Sequence, residues 1–119
     1  MRRTPGFDVV VCGSLHLDLV VSTSVLPRLD ETAVGSSWSQ VCGGKGGNQA
    51  LHAARAGART AMMGRVGHDK FGQILVTNLV GVGVNTSAVS VDQTSASGMS
   101  VAIVQENGDY CAVIVSGSN

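Results

Sequence analysis

Four glycines and a lysine in five consecutive positions, Gly43-Gly44-Lys45-Gly46-Gly47, constrain this chain more than any other segment. They run straight into Asn48-Gln49-Ala50-Leu51-His52-Ala53-Ala54-Arg55-Ala56-Gly57, an alanine-rich stretch that predicts a helix closed by glycine. The small side chains allow that helix to lie close against a sheet. A helix N-terminus presents unpaired N–H groups and partial positive charge. Glycine lets a ligand touch the backbone there. The segment therefore predicts a turn that receives an anion or a hydroxyl-rich ligand; a flexible turn entering a helix is the plainer alternative.

Two familiar phosphate-binding loops are excluded by single residues. A P-loop requires Ser or Thr directly after its lysine, where Gly46 stands. A dinucleotide fingerprint beginning at Gly44 requires glycine where Gln49 stands.

The flanking pattern predicts α/β architecture. Val9–Cys12 is a short β-branched run ending at Gly13, as a buried parallel strand would. Asp18 and Leu19-Val20-Val21 follow, then a mixed, exposed connection from Val25 to Val34 and a strand candidate at Ser36–Val41 carrying Trp38. Thr60–Met63 is the next strand. Phe71, Ile74, Leu75 and Leu79 recur at helical spacing and predict a helix from Asp69 to Val80, with Asp69 as N-cap and Gly81 and Gly83 as the stop. Ser87–Val91 is a weak strand. Met99–Gln105 and Tyr110–Val115 flank Asn107-Gly108, which predicts a hairpin with a type I′ turn. Strands alternating with helices imply a mainly parallel sheet, with the Trp38 segment and the hairpin as additional β structure outside it.

Charge narrows the partners. Eight basic and eight acidic residues give a formal net charge of zero. No basic stripe exists beyond Arg2-Arg3 at the start, so nucleic acid and acidic membrane surfaces are poor partners. Cys12, Cys42 and Cys111 are odd in number and lack metal-ligand spacing, which predicts small apolar residues in a reducing compartment. The apolar run after Arg2-Arg3 is too short for a signal peptide, and no run reaches the roughly 18 residues of a membrane span. The chain reads as cytoplasmic.

Gly43 to Ala50, followed by Gly57 and Gly67, resembles the N-terminal signature of the ribokinase-like (PfkB-type) carbohydrate kinases. The lysine form of the turn resembles ribokinases more than fructokinases or adenosine kinases. Gly13-Ser14 with Asp18, Asp30-Glu31-Thr32, Gly64–Gly72 with Asp69, and Ser116-Gly117-Ser118-Asn119 extend the resemblance over nearly all of residues 1–119. It implies a partial three-layer α/β/α sandwich with a small β lid, its strands near 19–42 and 99–115. It further implies ATP-dependent phosphorylation of a sugar hydroxymethyl group, the 5-hydroxyl of ribose in ribokinases. Mg2+, a monovalent cation such as K+, and a homodimer paired through the lid accompany that activity.

Carried over residue by residue, the resemblance assigns Asp18 as acceptor for sugar hydroxyls. Gly44, Lys45, Gly46, Gly47 and Asn48 form the sugar-contacting turn, and Met99 and Val101 belong to the lid. His16 stands where ribokinases usually carry asparagine; a neutral imidazole replaces an amide in part, or reshapes the pocket for another sugar. The Gly-Ala-Gly-Asp run that bears the family's catalytic aspartate and anion hole is not found in these 119 residues. The expectation is a sugar-binding half, inactive and marginally stable alone, with the ATP-binding half lying beyond Asn119. The competing expectations are a non-catalytic sugar-binding or lid-pairing module, and a kinase for another sugar or nucleoside.

Overall fold

The computed structural model describes residues 6–119; the Arg2-Arg3 pair lies outside them. Seven strands and two helices follow in the order β1 (Val9–Cys12), β2 (His16–Thr23), β3 (Ser37–Gly43), α1 (Lys45–Arg55), β4 (Thr60–Gly67), α2 (Lys70–Gly81), β5 (Asn85–Asp92), β6 (Gly98–Gln105) and β7 (Tyr110–Val115).

The strands form two sheets. The first, ordered β1-β4-β5, is parallel throughout, with Val11 opposite Met62 and Gly64 opposite Val89. The helix α1 precedes β4 and α2 joins β4 to β5. Both helices cover the same face, because Ala50 of α1 and Leu75 and Leu79 of α2 share one buried cluster with Val11, Met62, Val66 and Val84. Each fully buried Leu of α2 contributes about 1.5–3 kcal/mol over an exposed one. On the opposite face Val10, Cys12 and Met63 are exposed. The described residues thus supply two layers of an α/β/α arrangement.

The second sheet is ordered β3-β2-β6-β7. Its centre is parallel, β2 beside β6, and its outer pairs are antiparallel. The strand β2 links the two halves of the molecule. Leu15, just before it, and Leu17, near its start, are buried in the main cluster, while its far end runs out along the second sheet.

The helix signals operate as the sequence suggests. Asp69 caps α2, its carboxylate accepting from the Gly72 N–H at 2.8 Å. Gly57, at φ 93°, takes the left-handed conformation that ends α1. Two local expectations are corrected. The glycine run is not a loop preceding the helix: α1 begins at Lys45, so Gly46 and Gly47 lie inside its first turn. The hairpin turn is not type I′, since Gly108 has φ 92° but Asn107 is not left-handed. The Gly108 N–H donates to the Gln105 carbonyl and the Gln105 N–H to the Asp109 carbonyl, as in a tight turn closed by one left-handed glycine.

Candidate functional site

Paired residues across neighbouring strands project to the same side of a sheet. On β2, His16 and Asp18 therefore share a face with Gly43 and Val41 of β3 and with Gly98 and Ser100 of β6. The start of α1 lies beside that face, because Gly43, the last residue of β3, leads through Gly44 into the helix. A cleft of about 500 Å3 opens between them, lined by His16, Asp18, Gly44, Lys45 and Asn48. Ser14, Ser100, Tyr110, Ala112 and Ile114 complete its walls.

Gly46 and Gly47 are buried beneath the cleft rather than in it. A Cβ on Gly46 would meet the backbone of Gly13 at 2.7 Å and of Ser14 at 2.9 Å; one on Gly47 would meet the Leu15 side chain at 3.0 Å. These two glycines seat α1 on the β1–β2 turn. Gly44 is the N-cap at φ 90°, with no side-chain cap, and a Cβ there would meet the Ser14 carbonyl at 2.5 Å. The Gly47 N–H is already spent on the Ser14 carbonyl at 3.0 Å. The N–H groups of Lys45 and Gly46 have no partner among the described residues, so they are the donors this helix end retains. Met99 and Val101 lie elsewhere. They pair with Leu17 and Leu19, which places them on the opposite face of the second sheet from Asp18.

Asp18 is held on two sides. Its Oδ1 accepts the Ser100 hydroxyl at 2.6 Å, and its Oδ2 lies where a Cβ on Gly43 would approach to 2.6 Å. Glycine at position 43 leaves room for the carboxylate in this orientation; a Cβ there would require it to turn. None of the ion pairs among the described residues involves Asp18, so its negative charge faces the cleft without a cationic partner. The charge is felt nearby: burial first, then Asp18, raises the Cys42 thiol above its ordinary value. All three cysteines are free thiols, with Cys12 and Cys111 exposed.

Asp69 sits at a different place, at the start of α2. It accepts from the Ser97 N–H at 2.8 Å and the Ser97 hydroxyl at 2.6 Å as well as from Gly72. Burial alone pushes this carboxyl up; the bonds from Ser97 and Gly72, with His68 nearby, outweigh it and leave it below its usual range. It fastens the β5–β6 connection to α2.

Sequence reasoning did not single out Ser100, whose signal is only its register opposite Asp18. It also gave no role to Asn119. That amide donates to the Leu15 carbonyl at 2.8 Å and accepts from the Leu15 N–H at 2.9 Å, bracing the turn that presents Ser14 and His16. Among the described residues no group of three His, Cys, Asp or Glu side chains converges on a metal position, and no helix is long and apolar enough to cross a membrane.

Comparison with known proteins extends this geometry. The sequence profile of the pfkB family carbohydrate kinases matches residues 7–119. The chain is 40% identical over 112 residues to a ribokinase of Bacillus subtilis, covering 94% of this chain and 38% of that one. It is 34% identical to a deoxyribokinase of Salmonella typhi, covering 94% of this chain and 37% of the relative. The structure of Arabidopsis thaliana ribokinase complexed with ribose and ATP superposes with a TM-score of 0.87 at 33% identity, covering 93% of this chain and 36% of that chain. The chain thus spans well under half the length of these relatives.

Proposed function

The chain belongs to the pfkB family of carbohydrate kinases, and on that premise we propose that the cleft beside Asp18 is the sugar subsite of a ribokinase-type kinase acting on a pentose, ribose first. The observation that carries the reading is the convergence of Asp18 from β2 with Lys45 and Asn48 from α1 on one cleft, the carboxylate making no ion pair among the described residues. A carboxylate accepts from hydroxyls more strongly than a neutral group does. The ammonium of Lys45, its backbone N–H at the helix start and the Asn48 amide offer donors from the other side. Ala112 and Ile114 supply an apolar wall for the carbon face of a sugar ring.

ATP would serve as phosphoryl donor to the sugar hydroxymethyl group, with Mg2+ and a monovalent cation such as K+ belonging to the same proposal. The described residues do not fit a metal, since no His, Cys, Asp or Glu triad converges, and no step here runs through one. The contribution of these residues is to bind and orient the acceptor. The second sheet would act as a lid over the sugar, and the protein would work in the cytoplasm.

The outer face of that sheet supports pairing between two copies. Trp38, Val101 and Val113 lie on the side away from Asp18, with Trp38 and Val113 each 69% exposed. An apolar surface of this kind is normally covered. Val113→Asp should convert a dimer to monomers in analytical ultracentrifugation, and an unchanged mass would remove the lid-pairing proposal.

The sugar reading is tested by calorimetric titration with D-ribose. Asp18→Ala should weaken binding by roughly ten- to a hundred-fold, the loss of a charged acceptor. Equal affinity in wild type and variant would refute the assignment. Because His16 lines the same cleft, 2-deoxy-D-ribose and other pentoses in the same titration rank the preferred sugar.

A further inference from the structure

We propose that Ser100 is a positioning residue for the sugar site, fixing the Asp18 carboxylate from the neighbouring strand; this rests on the sugar reading given above. Four observations meet at this residue. Ser100 is directly opposite Asp18 in the parallel β2–β6 register, so both side chains leave the same face of the sheet. The residue is only 7% exposed, although it lines the cleft. Its hydroxyl donates to Asp18 Oδ1 at 2.6 Å, the short separation of a charge-assisted O–H···O bond. It is also the sole side-chain hydrogen bond that Asp18 makes among the described residues.

A carboxylate on a strand turns about two side-chain torsions, and χ2 of Asp is broad. One contact limits that freedom here: Ser100 holds Oδ1, while Oδ2 lies in the space that Gly43, lacking a Cβ, leaves open. The backbone of β6 is locked to that of β2 along eight paired residues, from His16 opposite Gly98 to Thr23 opposite Gln105, so the donor cannot drift from its acceptor.

The proton count sharpens the consequence. A serine hydroxyl has one proton, and Ser100 gives it to Asp18. What remains toward the cleft is lone pairs, on Ser100 Oγ and on the carboxylate. These two side chains therefore only accept, while Lys45 and the start of α1 donate, as can His16 and Tyr110 at other points of the cleft. A polyol meets both requirements, its hydroxyls donating to Asp18 and Ser100 and accepting from the Lys45 side.

The experiment is a double-mutant cycle read by calorimetric titration of the intact polypeptide with D-ribose, alongside thermal unfolding. Ser100→Ala should bind roughly ten- to a hundred-fold more weakly. Ser100→Thr, which keeps the hydroxyl on a strand-compatible residue, should recover most of that loss. In an Asp18→Asn background, Ser100→Ala should cost less than about three-fold, because the hydroxyl then has no charge to orient. A fully additive loss in the double variant, or a Ser100→Ala variant that binds like wild type, overturns the positioning role. A wild type that binds no polyol overturns instead the sugar reading beneath it. A variant that loses affinity only in proportion to a fallen unfolding midpoint, with no rescue by Thr, identifies Ser100 as a packing residue and also overturns the inference.

Discussion

Gly46→Ala tests whether the glycine run serves contact between backbones. In a helix the change from Gly to Ala is ordinarily favourable by about 1 kcal/mol. At position 46 the new methyl would meet the carbonyl carbon of Gly13 at 2.7 Å, its Cα at 2.8 Å and the Ser14 nitrogen at 2.9 Å. All three are backbone atoms, so no rotamer change relieves the overlap. Overpacking of this kind costs roughly 1–3 kcal/mol, and three contacts under 3 Å with the rigid Gly13–Ser14 backbone place it near the upper end. The net loss is then about 2 kcal/mol, or a fall of roughly 5–10 °C in the unfolding midpoint for a domain of this size. The displacement also moves Lys45 and Asn48 away from Asp18, so ribose affinity should fall with stability. Gly81→Ala is the control, since nothing lies within 4 Å of a Cβ there and its φ is ordinary. Differential scanning calorimetry should show the first variant falling and the second rising by a few degrees. A Gly46→Ala midpoint at or above that of wild type would refute the close approach of α1 to the β1–β2 turn.

Two further outcomes follow from the carboxylates outside the cleft. Asp69→Ala should lower stability by about 2–3 kcal/mol in urea titration, since it removes the α2 cap and leaves Ser97 without its acceptor; a loss under 0.5 kcal/mol would contradict that role. Acid should destabilise the fold in a defined window. Asp8 is held at about 2 by hydrogen bonds from the Arg59 side chain and backbone, and Asp92 at about 2 by the Thr94 and Ser95 N–H groups and the Thr94 hydroxyl. A folded value below the ordinary 3.8 means that the native state binds fewer protons than the unfolded chain. The stabilisation is present above about pH 4 and is lost as pH falls toward 2. Urea midpoints should drop across that range, and Asp92→Asn should make the drop shallower; a flat profile would show that these bonds do not persist in solution.

Much of the fold was legible because its signals are local. The spacing of Phe71, Ile74, Leu75 and Leu79 and the Asp69 cap define α2 without reference to anything distant. The cleft was legible in part. Asp18 lies on β2 and Lys45 and Asn48 on α1, and only the resemblance to a family placed the strand and the helix together. Three features escaped for the same physical reason. The Ser100 bond, the Asn119 brace and the buried seat of Gly46 each depend on pairing between segments 33 to 104 positions apart, as shown by the Leu15–Asn119 bonds and the approach of Gly46 to Gly13. Sequence spacing carries no register between such segments. The hairpin turn shows the complementary failure. Asn-Gly permits two left-handed residues but does not demand them, and the four residues available between β6 and β7 favour a turn with one.

The placement of Asp18 on β2 joins stability to function. Leu17, one residue earlier, is completely buried in the main cluster, and Leu19, one residue later, faces the outer side of the second sheet. Asp18 therefore sits where the strand leaves the core, with the glycine-seated helix on one side and β6 on the other. A core change that tilts β2 moves the carboxylate relative to both α1 and Ser100, so sugar affinity should track the packing of Leu15 and Leu17. Leu17→Ala should cost about 2–5 kcal/mol in stability. Under conditions where the protein remains folded it should also weaken ribose binding, while Val66→Ala, whose buried side chain lines a separate cavity with His68, Asp69 and Val76, should also destabilise but leave affinity unchanged. If both variants, measured while folded, bind alike, then β2 does not transmit core packing to the site, and the carboxylate is positioned by its immediate contacts alone.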